Sequence, residues 1–64
     1  MAPYTIEQEN RLIGTRQHWK ASPYETLEAA RASVRSHVAR SRSFVVFNIL
    51  DARGRVVESA QGAA

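Results

Sequence analysis

The residues of this 64-residue chain able to do chemistry are two histidines, a cluster of serines and six carboxylates, with no cysteine among them. His18 and His37 stand 19 positions apart, and neither has a carboxylate at a spacing that would complete a metal site. Ser36, Ser41 and Ser43 gather near His37, but neighbours on a helix point in different directions, and Glu25 and Glu28 lie turns away. Gly14, Gly54 and Gly62 stand singly, so there is no glycine-rich loop to cradle a phosphate. A chain this short also offers little concave volume for a substrate. The residues therefore predict no catalytic, cofactor-binding or metal-binding site, and a protein that works by binding rather than as an enzyme.

The charged residues carry a second possibility. Eight arginines and one lysine give a formal net charge of +3. With abundant Ala and Val, the arginine preference fits a GC-rich bacterial genome as readily as a polyanionic partner. A surface built from Arg16, Lys20, Arg31, Arg35, Arg42 and Arg55 would be able to contact phosphates or an acidic protein. Glu28, three and seven residues before Arg31 and Arg35, offsets part of that field. The run Arg40-Ser41-Arg42-Ser43 equally suits a helix end whose arginines meet free carbonyls.

These residues need elements to hold them. Ser22-Pro23-Tyr24-Glu25 has an N-cap serine, a proline at the first helical position and a glutamate at the third, which predicts a helix from Pro23 to about Arg40. At roughly 100° per residue, Leu27, Val34 and Val38 make a stripe with Ala30 on its edge. Arg31, Arg35 and Arg42 fall on one shoulder beside Tyr24 and Glu28, and His37 falls on the other with Thr26. Upstream, Pro3 to Glu7 alternates, with Tyr4 and Ile6 on one side and Thr5 and Glu7 on the other. Gln8-Glu9-Asn10 is read as a turn, and Arg11 to Lys20 as a second strand weakened or bulged at Gly14. Trp19 suits a lid over the end of a small core.

Downstream, Ser43 to Asp51 is the strongest strand pattern in the chain. Asp51-Ala52-Arg53-Gly54 fits a type I turn closed by a left-handed glycine, and Arg55 to Ser59 returns. The predicted fold class is α+β, ββαββ: a four-stranded, mostly antiparallel sheet with one helix packed on one face. Residues 1–60 form a single domain, with 61–64 as a frayed tail. A chain of this size buries roughly 60% of its unfolded surface and is marginal in stability. The N-terminus lacks the basic and apolar regions of a signal peptide, and Phe44-Val45-Val46-Phe47 is too short to span a bilayer, so a cytoplasmic protein is expected.

One helix covers one face of such a sheet, yet the third strand reads apolar on both. Val45, Phe47 and Ile49 form one set, and Phe44, Val46 and Leu50 the other. Three readings follow. In one, the second set simply lies at the sheet margin, where isolated exposed apolar residues are ordinary. In another it forms, with Val57, a surface for another protein, or the chain self-associates sheet to sheet through this face or edge to edge through an edge strand. In the third, Arg16, His18, Lys20, Phe44 and Arg55 mix cations with an aromatic on which bases stack.

Thr26-Leu27-Glu28-Ala29-Ala30-Arg31-Ala32, followed by Phe44 to Glu58 with its Asp51-x-x-Gly54 turn, resembles a pattern found in small bacterial α+β proteins. There a Thr-Leu-Glu-Glu-Ala helix precedes a strand and a D-x-x-G hairpin, and Ala29 stands here for the second acid. The resemblance covers about half the chain. It implies the α+β fold and carries over no site residues. The expected function is protein interaction or self-association through Phe44, Val46, Leu50 and Val57, with nucleic-acid binding through the arginines and Lys20 as the alternative.

Overall fold

The computed structural model describes residues 3–19 and 24–64. Five elements follow in order: β1 (Thr5–Asn10), β2 (Thr15–His18), α1 (Leu27–Val38), β3 (Val45–Leu50) and β4 (Val56–Gln61). The strands form one open sheet in the order β2-β1-β3-β4, every neighbouring pair antiparallel. Helix α1 carries the chain from β2 at one edge across to β3, and packs on one face.

The alternation expected of the strands decides which side chains meet the helix. Ile6 pairs with Ile49, and Gln8 with Phe47. Ile6, Phe47 and Ile49 are the largest fully buried side chains, and Ala30 and Val34 of α1 close over them with Val45. Each such aliphatic or aromatic side chain contributes about 1.5–3 kcal/mol by leaving water. Leu27, Val38, Tyr4, Tyr24, Trp19 and Ala60 pack around this centre. The helical stripe of Leu27, Ala30, Val34 and Val38 is thus the buried face.

The boundaries differ from the sequence reading in four places. First, α1 starts at Leu27, with the Thr26 hydroxyl accepting from the Ala29 amide at 3.1 Å. Ser22 and Pro23, the expected cap, lie outside the described residues. Tyr24 is held in an extended bridge to Tyr4, its N–H donating at 2.8 Å and its carbonyl accepting at 3.1 Å. Helical geometry cannot begin until that bridge ends, so Glu25 precedes the helix. The helix closes at Val38 rather than Arg40, as the Arg40 and Ser41 amides donate back to His37 and Val38.

Second, β1 runs through Gln8-Glu9-Asn10 instead of turning there. The polar side chains on its helix-facing side find partners: Gln8 accepts from the Trp19 indole N–H at 3.1 Å, and Asn10 caps the turn that follows. Third, the turn is Arg11–Gly14, and β2 shrinks to Thr15–His18. Gly14 is no bulge; its φ of +72° makes it the left-handed residue that closes the turn.

Fourth, the tail is built in. Gln61 ends β4, Gly62 is buried, and the amides of Gly62, Ala63 and Ala64 donate to Val45, Val38 and Ser41. The β3–β4 hairpin follows the expectation closely. Gly54 has φ +79°, its N–H donates to Asp51 at 3.0 Å, and the Asp51 carboxylate accepts from the Arg53 and Arg55 amides at 2.8 and 2.9 Å.

Candidate functional site

The face of the sheet away from α1 carries a polar row that crosses all four strands. His18 on β2 stands opposite Glu7 on β1, Glu7 opposite Asn48 on β3, and Asn48 opposite Ser59 on β4. His18 Nε2 lies 3.7 Å from Glu7 Oε2. Asn48 Nδ2 donates to Glu7 Oε1 at 3.4 Å, and the Ser59 hydroxyl donates to Asn48 Oδ1 at 2.7 Å. Asn48 is the one buried polar side chain among the described residues, and this row satisfies it.

Serine, histidine and a carboxylate in one row invite comparison with a nucleophilic triad. The order works against that chemistry. Three strand spacings separate His18 from Ser59, about 14 Å at the usual distance between strands. Ser59 donates to an amide oxygen, and His18 is exposed. What the row can do is fix strand register, since a one-residue slip would break every contact in it.

The next row along repeats the device: Arg16 on β2 lies 3.6 Å from Glu9 on β1, with Val46 beyond it on β3. Val46 and Leu50 do face away from the helix, as the alternation predicts. However, they are only 6% and 7% exposed, sunk between side chains of β1 and β4 and separated by Asn48. Phe44 precedes β3 and packs against the core cluster. Val57 lies at the far edge, on β4. The four residues chosen for protein interaction are therefore not brought together into one patch.

The arginines are also dispersed. Arg16 is tied to Glu9, and Arg31 to Glu58 and Glu28. Arg42 lies in the connection from α1 to β3, and Arg55 in the hairpin at the opposite end. Lys20 lies outside the described residues. Glu7 and Glu9 add negative charge to the face on which Arg16 and His18 sit.

Large exposed apolar side chains lie instead in two places, Leu12 and Ile13 in the β1–β2 turn and Val56 and Val57 on β4, the longer edge strand. Val56 and Val57 are 54% and 46% exposed. Val57 is the extra residue where the pairing steps from Ile49–Glu58 to Leu50–Val56, a bulge that leaves Glu58–Gln61 as the regular edge. Beside this edge, on the helix side, runs a groove of about 200 Å³ lined by Arg31, Val34, Arg35, Val38, Glu58 and Ala60. Its floor is aliphatic and its rim charged.

No protein-family model, curated protein or solved structure matches this chain.

The opposite flank of α1 is closed. Trp19 stacks at a tilt on His37, ring centroids 4.5 Å apart, and meets Phe47 edge-on at 5.8 Å. His37 Nδ1 lies 2.9 Å from the Ser33 carbonyl oxygen. Trp19 is thus the core lid its position suggested. Among the described residues, no group of three or more His, Cys, Asp or Glu side chains is placed to hold a metal ion.

Sequence reasoning missed Asn48, Ser59 and Glu58 as paired residues. Alternation places them on their faces, but their partners lie on other strands, and no local signal names those. It also missed the exposure of Leu12 and Ile13, whose signal was Asn10 and Gly14 flanking them at turn spacing.

Proposed function

We propose that this protein is a small interaction module that self-associates along β4, two copies joining their sheets edge to edge about a two-fold axis. The observation that carries the reading is the coincidence of an unpaired edge, exposed Val56 and Val57, and the aliphatic groove of Val34, Val38 and Ala60 running beside that edge. An open edge presents unpaired amides and carbonyls to any strand that arrives, and no proline or lysine stands in β4 to discourage one. The face that the sequence first suggested for this role is less suited to it, because Val46 and Leu50 are already buried and a satisfied polar row lies between them.

A second copy is the occupant that the charges favour. A two-fold axis makes paired β4 strands antiparallel, as every other pair in the sheet is. Centred on Ser59, it sets Glu58 of each copy opposite Ala60 of the other. Each Glu58, already paired with Arg31 of its own chain, then comes beside the partner groove's rim. There it can share its carboxylate with Arg35, which has no ion pair among the described residues. The same pairing brings the two grooves together and covers both. A chain of this size gains from such burial, because its own core is small.

Sedimentation equilibrium over a wide concentration range tests the reading. The expected result is a mass rising towards that of two chains, and a monomer for Val56→Lys/Val57→Lys, whose exposed positions tolerate lysine within one chain. A native chain that stays monomeric throughout would refute it. So would a double variant that dimerises as well as the parent.

A further inference from the structure

The β1–β2 turn presents two aliphatic side chains directly to solvent. Leu12 and Ile13 are 71% and 67% exposed, the most exposed large apolar residues described. Their exposure is built rather than incidental. The Asn10 side-chain oxygen accepts from both of their amides, at 3.0 and 3.3 Å, and Gly14 donates to the Asn10 carbonyl at 2.9 Å. With the backbone satisfied inside the turn, the Leu-Ile pair is held outward at the tip of the hairpin.

This end of the molecule is also its basic end. The last residue of β1 pairs with the first of β3, and the Arg11 amide donates to Phe44, so the α1–β3 connection lies beside the turn. Arg11 and Arg16 flank the tip from the hairpin, and Arg40 and Arg42 lie in the connection, both exposed, with Arg40 Nε donating to the Ser36 carbonyl at 3.4 Å. Glu9 is the one carboxylate side chain set against them, 3.8 Å from Arg11 and 3.6 Å from Arg16. Four arginines against one glutamate leave a surplus of three, which equals the formal net charge of +3; the remaining five cations match the remaining five carboxylates.

From this juxtaposition we infer that the β1–β2 tip docks on an anionic lipid surface, Leu12 and Ile13 entering the interface while the arginines meet lipid phosphates. The combination selects this partner. A nucleic acid would satisfy the arginines, but it would leave both aliphatic chains in water. Phe44, the aromatic beside the tip, packs against the core cluster rather than standing free for bases to stack on. A bilayer interface takes both at once. The contact is peripheral, since no described helix is long and apolar enough to cross a membrane. It is also independent of association through β4. In an edge-to-edge dimer the two tips point in opposite directions, so one flat surface engages one of them.

The test uses the full chain with phosphatidylcholine vesicles, with and without phosphatidylglycerol, read by co-sedimentation. Binding is expected only to the anionic vesicles, weakening as salt rises. Leu12→Ser/Ile13→Ser should lose more than about tenfold in affinity. Arg40→Gln and Arg42→Gln should lose about fivefold each. Amide spectra should show both sets of variants folded, because the turn's hydrogen bonds use Asn10 and the backbone. Absence of binding to anionic vesicles overturns the inference. Undiminished binding by Leu12→Ser/Ile13→Ser also overturns it, as does duplex DNA that binds the native chain and that variant alike and displaces the vesicles.

Discussion

The Arg31 guanidinium grips the Glu58 carboxylate side-on, Nε lying 2.8 and 3.0 Å from the two oxygens and Nη2 lying 2.8 Å from Oε1. This pair joins α1 to the edge strand at the mouth of the groove, and Glu28 approaches the same guanidinium at 3.5 Å. It explains why Arg31 is unavailable to phosphates while Arg35, one turn on, remains at the rim. The hydrogen bond to Glu58, followed by its charge, raises the Arg31 pKa above its already high ordinary value. A raised base stabilises the fold below its unfolded value, and the gain is lost only above its folded one. Arg31 itself therefore adds no pH dependence in any ordinary range. Glu58→Gln is expected to lower the thermal midpoint at low salt, with the difference shrinking as salt screens the pair. Melting curves at several salt concentrations check this.

Acid sensitivity should centre on Asp51. Its carboxylate accepts from the Arg55 and Arg53 amides, and these bonds, that to Arg55 foremost, hold its pKa below the ordinary 3.8. For a depressed acid, stabilisation is present above the unfolded value and is lost as pH falls through the folded one. Asp51→Asn keeps an oxygen acceptor but has no titrating proton. The stability gap between it and the native chain should narrow as pH drops below about 3.8. Denaturant midpoints measured from neutral pH into this region follow the gap.

Gly62 is irreplaceable for reasons of space. A side-chain carbon there would meet the Arg42 carbonyl oxygen and lie 2.6 Å from that of Ser41, both backbone atoms that cannot swing away. Gly62→Ala should cost about 1–3 kcal/mol, a large share of the stability of so small a domain. Gly14→Ala meets nothing within 4 Å and should suffer only the left-handed backbone cost, about 1–2 kcal/mol. Urea unfolding of both variants provides the comparison, and deletion of residues 62–64 should destabilise as Gly62→Ala does.

Asn48 keeps the uncovered face from becoming an apolar stripe. Asn48→Val removes a buried polar group whose partners, Glu7 and Ser59, can turn to water, so folding stability should change by less than about 1 kcal/mol. The substitution joins Val46 to Leu50 in one continuous apolar run, which should promote aggregation. Light scattering against concentration, beside a melting curve, separates the two effects.

Much of the fold was legible because strand alternation and helical periodicity are local. Val45, Phe47 and Ile49 against the helix, the stripe of Leu27, Ala30, Val34 and Val38, and the Asp51–Gly54 turn all follow from spacing alone. The helix start did not, because a strand-like bridge to Tyr4, twenty residues away, holds Tyr24 extended. The β1–β2 turn was displaced for a related reason. Gln8 and Asn10 look like turn residues until Trp19 and the turn amides supply partners on the pleated strand. At the candidate site, apolar residues on the uncovered face suggested a sticky surface. Whether a valine on a central strand is exposed depends on the length of its neighbours' side chains, which pattern alone does not measure.

The most direct test of association through β4 is a dilution series of amide NMR spectra on the native chain. The account predicts concentration-dependent shifts confined to Val56–Gln61 and to Val34, Arg35 and Val38, with slowed hydrogen exchange along β4 at high concentration. Spectra unchanged across the whole range would contradict it, as would shifts falling on Thr5, Glu7 and Asn48 of the uncovered face.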